Sequence, residues 1–178
     1  MTALDRQANL LGALALVITD QTAQAVAATA GQSASAAAAL SALHHFLDHP
    51  TLDQLHKVLG LTPSGAVRLV DRLADAGLVT RGTGEDGRSR SVVLTDAGKR
   101  VAAQITAARA TLLSSTLVEL SPAERETLHS LMSRIMASLV RSKEGGAWIC
   151  RLCDLDACGR PSGHCPAANS AAAKYATR

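Results

Sequence analysis

Aromatic side chains are almost missing from this sequence: one Trp, one Tyr and one Phe in 178 residues. A core built without them rests on small aliphatic side chains, and the abundance of Ala and Leu favours helices. No continuous apolar run reaches the roughly 18 residues of a membrane span. The opening MTALDRQANL lacks the basic stretch and apolar core of a signal peptide. A cytoplasmic protein with no membrane segment is expected. The marks of catalysis are also missing: there is no Gly-x-Ser-x-Gly, no phosphate-binding glycine loop and no suggestive carboxylate pair. Gly82, Gly84 and Gly87 punctuate a hairpin tip and do not join a strand to a helix. An enzyme is not expected. The net charge of +3 is modest and permits DNA binding without arguing for it. Cysteine does not occur before Cys150, and all four cysteines then fall in one stretch.

What the chain does carry is organised around Thr51 to Gly98. Thr51 with Gln54 reads as a capping box, Leu52, Leu55 and Leu59 form one apolar face, and Gly60 breaks the helix. Thr62 is the next N-cap candidate, with Pro63 in the first helical position. Ala66, Leu69, Val70, Leu73 and Ala74 make a buried stripe; Ser64, Arg68, Asp71, Arg72 and Asp75 fall opposite. Gly77 ends this helix. Leu78–Arg81 and Ser91–Leu94 alternate as strands do, with a charged tip between them. The pattern is a helix-turn-helix followed by a β wing, a shape that presents its second helix to a DNA major groove.

The segment SGAVRLVDRLADAGLVTRGTGEDGRSRSVVLTDAG resembles the winged-helix core of the MarR family of bacterial transcriptional regulators. The likeness lies at Leu69–Leu73, Gly77–Val79, Arg81, Asp86 with Arg88, and Val92–Gly98. It departs from the family in the wing, where Gly87 separates Asp86 from Arg88. The resemblance implies a mainly α fold: a winged helix-turn-helix with a two-stranded β wing, flanked by long dimerisation helices. It also implies a triangular homodimer that binds DNA as a regulator, most simply a repressor. A small-molecule effector in the cleft between the second helix and the winged helix, beside His44 and Phe46, is implied by the resemblance alone.

The flanking segments fit that frame. Residues 4–30 read as one long helix and Ala36–Leu47 as a second, ended by His49-Pro50. Thr95 caps a helix through Leu113. Ser121-Pro122-Ala123-Glu124 is a capping box that opens a last helix to about Lys143, with Leu128, Leu131, Met132, Ile135, Met136 and Leu139 facing inward. Helices this long at both ends of a small domain need a partner for their apolar faces. A twofold dimer would place two recognition helices about 34 Å apart on double-stranded DNA with a near-palindromic operator. The organisation expected is 1–50 N-terminal helices, 51–98 winged helix, 99–144 C-terminal dimerisation helices and 145–178 a cysteine-rich tail.

Ser64 and Arg68 are the base-edge candidates, at the start of the recognition helix and one turn on, with Gly65 between them among the DNA-binding residues. Arg72 and Arg90 suit phosphate. Arg88, held by Asp86, suits the minor groove. The scattered histidines show no metal-ligand spacing and read as surface or packing residues.

The tail spaces Cys150, Cys153, Cys158 and Cys165 as C-x2-C-x4-C-x6-C. In a cytoplasmic protein four thiols this close point to a metal centre over disulfides. Gly159, Pro161 and Gly163 let the loop curl, and Cys165-Pro166 resembles a helix start. A structural zinc site usually shows two C-x-x-C knuckles, and here there is one. The expected cofactor is therefore an iron–sulfur cluster, [2Fe–2S] over [4Fe–4S], with zinc as the alternative. Trp148, Ile149, Leu152 and Leu155 are placed to shield it; four cysteines make His164 unnecessary as a substitute ligand, and it reads as a loop histidine. The function expected is redox or iron sensing. The competing readings are a ligand-responsive repressor with a zinc staple, a redox enzyme using the cysteines, and a tail that recruits a protein partner.

Overall fold

The computed structural model describes residues 2–83, 90–140 and 148–175, with Thr83 and Arg90 described by backbone alone. The elements are α1 (Ala3–Ala30), α2 (Ala34–His45), α3 (Leu52–Leu59), α4 (Pro63–Asp75), β1 (Val79–Thr83), β2 (Arg90–Leu94), α5 (Asp96–Leu117), α6 (Pro122–Leu139) and α7 (Pro166–Tyr175). The two strands pair antiparallel, from Val79 opposite Leu94 to Thr83 opposite Arg90. The architecture is mainly helical with a two-stranded wing, as expected.

The helix starts are set by short-range hydrogen bonds. Thr51 and Gln54 satisfy each other's backbone amides at the head of α3. Thr62 accepts from the Gly65 amide, with Pro63 as the first residue of α4. Ser121 and Glu124 repeat the capping box on α6. Gly60 ends α3 at φ 65°, a left-handed conformation that costs glycine little. The start of α5 is tied to the foot of the wing. Thr95 Oγ1 accepts from the Gly98 amide at 3.0 Å and donates to the Gly77 carbonyl at 2.7 Å. A Cβ on Gly98 would lie 2.0 Å from the Leu78 carbonyl oxygen, so only glycine lets α5 begin this close to β1.

One core joins these elements. Val26 of α1, Ala36, Ala37, Ala39 and Leu40 of α2, Leu55 of α3, Leu69, Val70 and Leu73 of α4, Val79 and Val92 of the wing, and Ala102 and Ile105 of α5 are all buried in it. Alanine on α2 has only a methyl group to hold its neighbours off, and α2 sits closely on α5. The winged-helix core therefore takes in α2 and the end of α1, ahead of Thr51. Val140, Cys165, Ala167 and Ala171 form a second, smaller core, with Met136 and Ile149 against it.

Three expectations change. α2 ends at His45, not Leu47, because Phe46 leaves helical geometry at φ −154°. α6 ends at Leu139, with Val140 already extended at ψ 113°, short of Lys143. The apolar stripe of α6 does not face inward within one chain: no residue of α6 is buried, and Leu131, Met132, Ile135 and Leu139 are exposed. α1 likewise exposes Leu4, Leu10, Leu11, Leu14, Leu16 and Val17 and buries only Thr22 and Val26. By length and mean hydropathy α1 is apolar enough to cross a membrane, although Asp20 breaks the run; its contacts are with α5 and α2.

Candidate nucleic-acid interface and cysteine cluster

α4 is held by its inner face and offers its outer one. Ala66, Leu69, Val70 and Leu73 are buried, while Ser64, Val67, Arg68, Arg72 and Asp75 are exposed. Gly65 is half-buried and its amide is used by the Thr62 cap, so it shapes the start of the helix. Ser64 and Arg68 are exposed on the outer side, one turn apart, with Ser64 Oγ 3.4 Å from Thr62 Oγ1. Val67, 39 % exposed, lies beside them, an apolar group of the kind that meets a thymine methyl. An exposed valine inside an amphipathic helix was the available signal for it. Arg72 borders a shallow cleft with Gln32 and Ser33 at the start of α2.

Two ion pairs stiffen this face. Arg81 of β1 pairs with Asp71 of α4 and so ties the wing to the recognition helix. Asp53 accepts from Lys57 at 2.8 Å and lies 3.1 Å from His56 Nε2, while His56 Nδ1 is 3.2 Å from the Leu61 carbonyl. The Lys57 ammonium, with His56, holds the Asp53 carboxyl below its usual range. His56 thus braces the turn between α3 and α4. Of the wing-tip candidates, Asp86 and Arg88 lie outside the described residues; Arg90 closes the β ladder opposite Thr83.

His45 has a structural role. His45 Nε2 is 2.9 Å from Thr106 Oγ1 and joins α2 to α5. Burial, with His44 alongside, lowers the His45 pKa, against the pull of Asp154 and Asp156 from the cysteine loop. His164 is exposed and sits over Gly159.

The four cysteines are free thiols in one neighbourhood. Cys150 and Cys165 are buried; Cys153 and Cys158 are half-buried. A hydrogen bond between Cys150 and Cys153 leaves the proton on Cys150, which burial pushes up further. The same bond, aided by Arg109, Arg160 and Arg151, brings Cys153 down to about 6. Burial also raises Cys158, which feels Cys165 and Cys153. The thiols of Cys150, Cys153, Cys158 and Cys165 thus lie within electrostatic reach of one another, and the Cys158 thiol donates to the Leu155 carbonyl at 3.5 Å. Among the described residues no three His, Cys, Asp or Glu side chains converge as ligands around one point. Of the expected shielding residues, Ile149 and Leu152 are half-buried against the two cores, but Trp148 is exposed, with the Arg151 guanidinium stacked 5.1 Å from its ring.

The loop bridges two parts of the molecule. Leu152 packs on the winged-helix core. With Arg109, Arg151, Leu59 and residues of α1 and α2 it lines a cavity of about 360 Å³. That cavity lies beside α2, and neither His44 nor Phe46 lines it. On the other side α7 docks on α6: Ser170 Oγ donates to the Ala137 carbonyl at 3.0 Å and Lys174 Nζ to the same oxygen at 2.7 Å.

Comparison with known proteins agrees with this geometry. Residues 33–89 match the model of the MarR family, beginning at α2 and ending in the wing. A MarR family protein from Bacillus stearothermophilus superposes with a TM-score of 0.70 at 21 % identity, over 79 % of this chain and 99 % of that one. MepR, a transcription regulator of the Staphylococcus aureus multidrug efflux pump MepA, gives 0.66 at 18 %, over 78 % and 99 %. A probable transcriptional regulator from Pseudomonas aeruginosa gives 0.55 at 27 %, over 70 % and 95 %. No curated protein matches the chain. Family pattern and fold point the same way: residues 33–89 are similar to the MarR family, and the chain has the winged-helix fold of these solved structures.

Proposed function

We propose that the chain is a DNA-binding transcription regulator, not an enzyme, and that it works as a twofold homodimer. The observation that carries this reading is the outer face of α4. Ser64, Val67, Arg68 and Arg72 are exposed on a helix whose other face is locked into the core and whose wing is tied to it through Asp71 and Arg81. A rigid helix carrying unburied guanidinium groups suits insertion into a major groove. The exposed apolar faces of α1 and α6 are far more than a monomer leaves wet without a partner.

We further propose that Cys150, Cys153, Cys158 and Cys165 hold an iron–sulfur cluster, [2Fe–2S] over [4Fe–4S], whose state sets DNA affinity. Support comes from the four neighbouring free thiols and from the loop's position between the winged-helix core and α6. A metal would draw the four thiols into one coordination sphere, and the pull would reach the winged-helix core through Leu152 and α6 through α7. Coupling of this kind needs only that the two loop shapes differ in stability between the DNA-bound and free arrangements. A zinc staple with a small-molecule effector is the second reading, favoured by the cavity lined by Arg109 and Arg151.

The test is a visible absorption spectrum of anaerobically purified protein, with iron, sulfide and zinc assayed on the same sample. Brown protein with thiolate-bound iron and matching sulfide is the expected result. A colourless protein with one zinc per chain would discard the cluster and favour the second reading.

A further inference from the structure

The cysteine loop contains one buried polar atom that the described residues leave without a partner. Among the described residues, Arg160 Nη1 is a buried side-chain nitrogen with no hydrogen-bond acceptor. Nη1 belongs to a permanent cation, and such groups rarely stay buried and unpaired. The two other guanidinium groups near the thiols are otherwise placed. Arg151 donates to the Trp148 carbonyl at 2.7 Å and stacks on that indole. Arg109 reaches over from α5 and lines the neighbouring cavity. Arg160 alone belongs to the stretch between Cys158 and Cys165, where its backbone amide donates to the Leu155 carbonyl at 3.3 Å.

We propose that Arg160 is the built-in counter-cation of the cysteine centre, its buried Nη1 donating to a metal-bound thiolate or sulfide once the four sulfurs are drawn together. This rests on reading the four cysteines as one metal-holding set. A divalent ion with four thiolates carries two net negative charges, and a [2Fe–2S] cluster on four thiolates is likewise anionic. A loop that must enclose such a group needs a cation facing it. Burial makes that cation effective, because water no longer screens it. The proton balance is simple: metal binding releases the thiol protons to solvent, and Arg160 keeps its own and shares it as a hydrogen bond.

The experiment titrates Co²⁺ into the reduced full-length protein under anaerobic conditions, in competition with a chelator. It compares wild type with Arg160→Gln, Arg160→Lys and, as an exposed control on α6, Arg125→Gln. Cobalt reports its ligands directly through its thiolate charge-transfer and visible bands. One cobalt per chain with four-thiolate bands is expected in the wild type. Arg160→Gln should bind about tenfold more weakly, Arg160→Lys should recover most of the loss by keeping the charge, and Arg125→Gln should match wild type. Equal affinity of wild type and Arg160→Gln would overturn the role of Arg160 while leaving the cysteine centre intact. Absence of thiolate bands in the wild type would overturn the centre itself, and the role of Arg160 with it. Helical circular dichroism recorded on each variant separates loss of affinity from loss of fold. If Arg160→Gln unfolds the tail, the comparison rests on Arg160→Lys, which keeps the charge but not the fork. Binding by Arg160→Lys no better than by a variant lacking all four thiols would then contradict the charge argument.

Discussion

Arg81, in the first strand of the wing, pairs with Asp71, on the outer flank of the recognition helix. The pair is part-exposed, so its worth to stability is small, about 0–1 kcal/mol. Its consequence is geometric: the wing and α4 keep one relative orientation before DNA arrives. Asp71→Asn should leave thermal stability nearly unchanged and weaken operator binding by about fivefold, or roughly 1 kcal/mol. A double-mutant cycle with Arg81→Gln, read by fluorescence anisotropy, checks this. Additive losses would show that the two residues act separately.

Arg68 and Arg72 should differ in kind. Arg68→Ala should cost about 1–3 kcal/mol on the selected operator and relax preference at one base pair. Arg72→Ala should weaken binding to all sequences alike and reduce the slope of log affinity against log salt by about 1. Titrations at several salt concentrations on operator and scrambled duplexes decide it. A loss of base preference from Arg72→Ala would reverse the two assignments.

Gly98 faces the Leu78 carbonyl at a separation no Cβ tolerates. Gly98→Ala should therefore destabilise the fold by about 3–5 kcal/mol through displacement of α5 from the wing. Denaturant unfolding measures it. A loss under about 1 kcal/mol would mean that α5 shifts without strain.

His45 gives a pH dependence with a definite sign. Burial places its folded-state pKa below the usual 6.5, so near and below that pH the unfolded chain binds more protons than the folded one. The contribution of His45 is present above about pH 6.5 and is lost as pH falls through the folded value. His45→Gln keeps a partner for Thr106 and should flatten the fall in melting temperature between about pH 7 and about pH 5. An unaltered pH profile would assign the dependence to other groups.

The parts of the fold legible in the sequence were those governed by neighbours in the chain. Thr51 with Gln54, Thr62 with Pro63, and Ser121 with Glu124 mark helix starts because a cap needs only residues three apart. The stripe on α4 was legible for the same reason. The direction of the α6 stripe was not, since periodicity tells that a face is apolar and says nothing of which chain covers it. The Asp71–Arg81 pair and the Gly98–Leu78 approach depend on the turn after α4, which brings together residues that no local rule connects. The spacing of the cysteines announced a cluster. Its attachment through Leu152 to the winged-helix core, and through α7 to α6, exists only in the fold. The buried nitrogen of Arg160 was invisible beforehand, because nothing in the string CGRPSGHC separates it from a solvated arginine.

The exposed stripe on α6 carries its own test. Ile135→Glu should turn the dimer into a monomer in sedimentation analysis and weaken operator binding at least about tenfold, or 1.4 kcal/mol. A monomeric wild type would refute the twofold arrangement.

The most direct measurement is operator affinity of one anaerobic preparation, before and after treatment with oxidant and chelator. The operator is first selected from a random duplex library. Binding through α4 with control by the cysteine loop calls for tight binding in one state and a change of at least about tenfold, roughly 1.4 kcal/mol, in the other. Equal affinity in both states, with Cys153→Ser indistinguishable from wild type, would contradict that control and leave a DNA-binding protein whose tail serves another purpose.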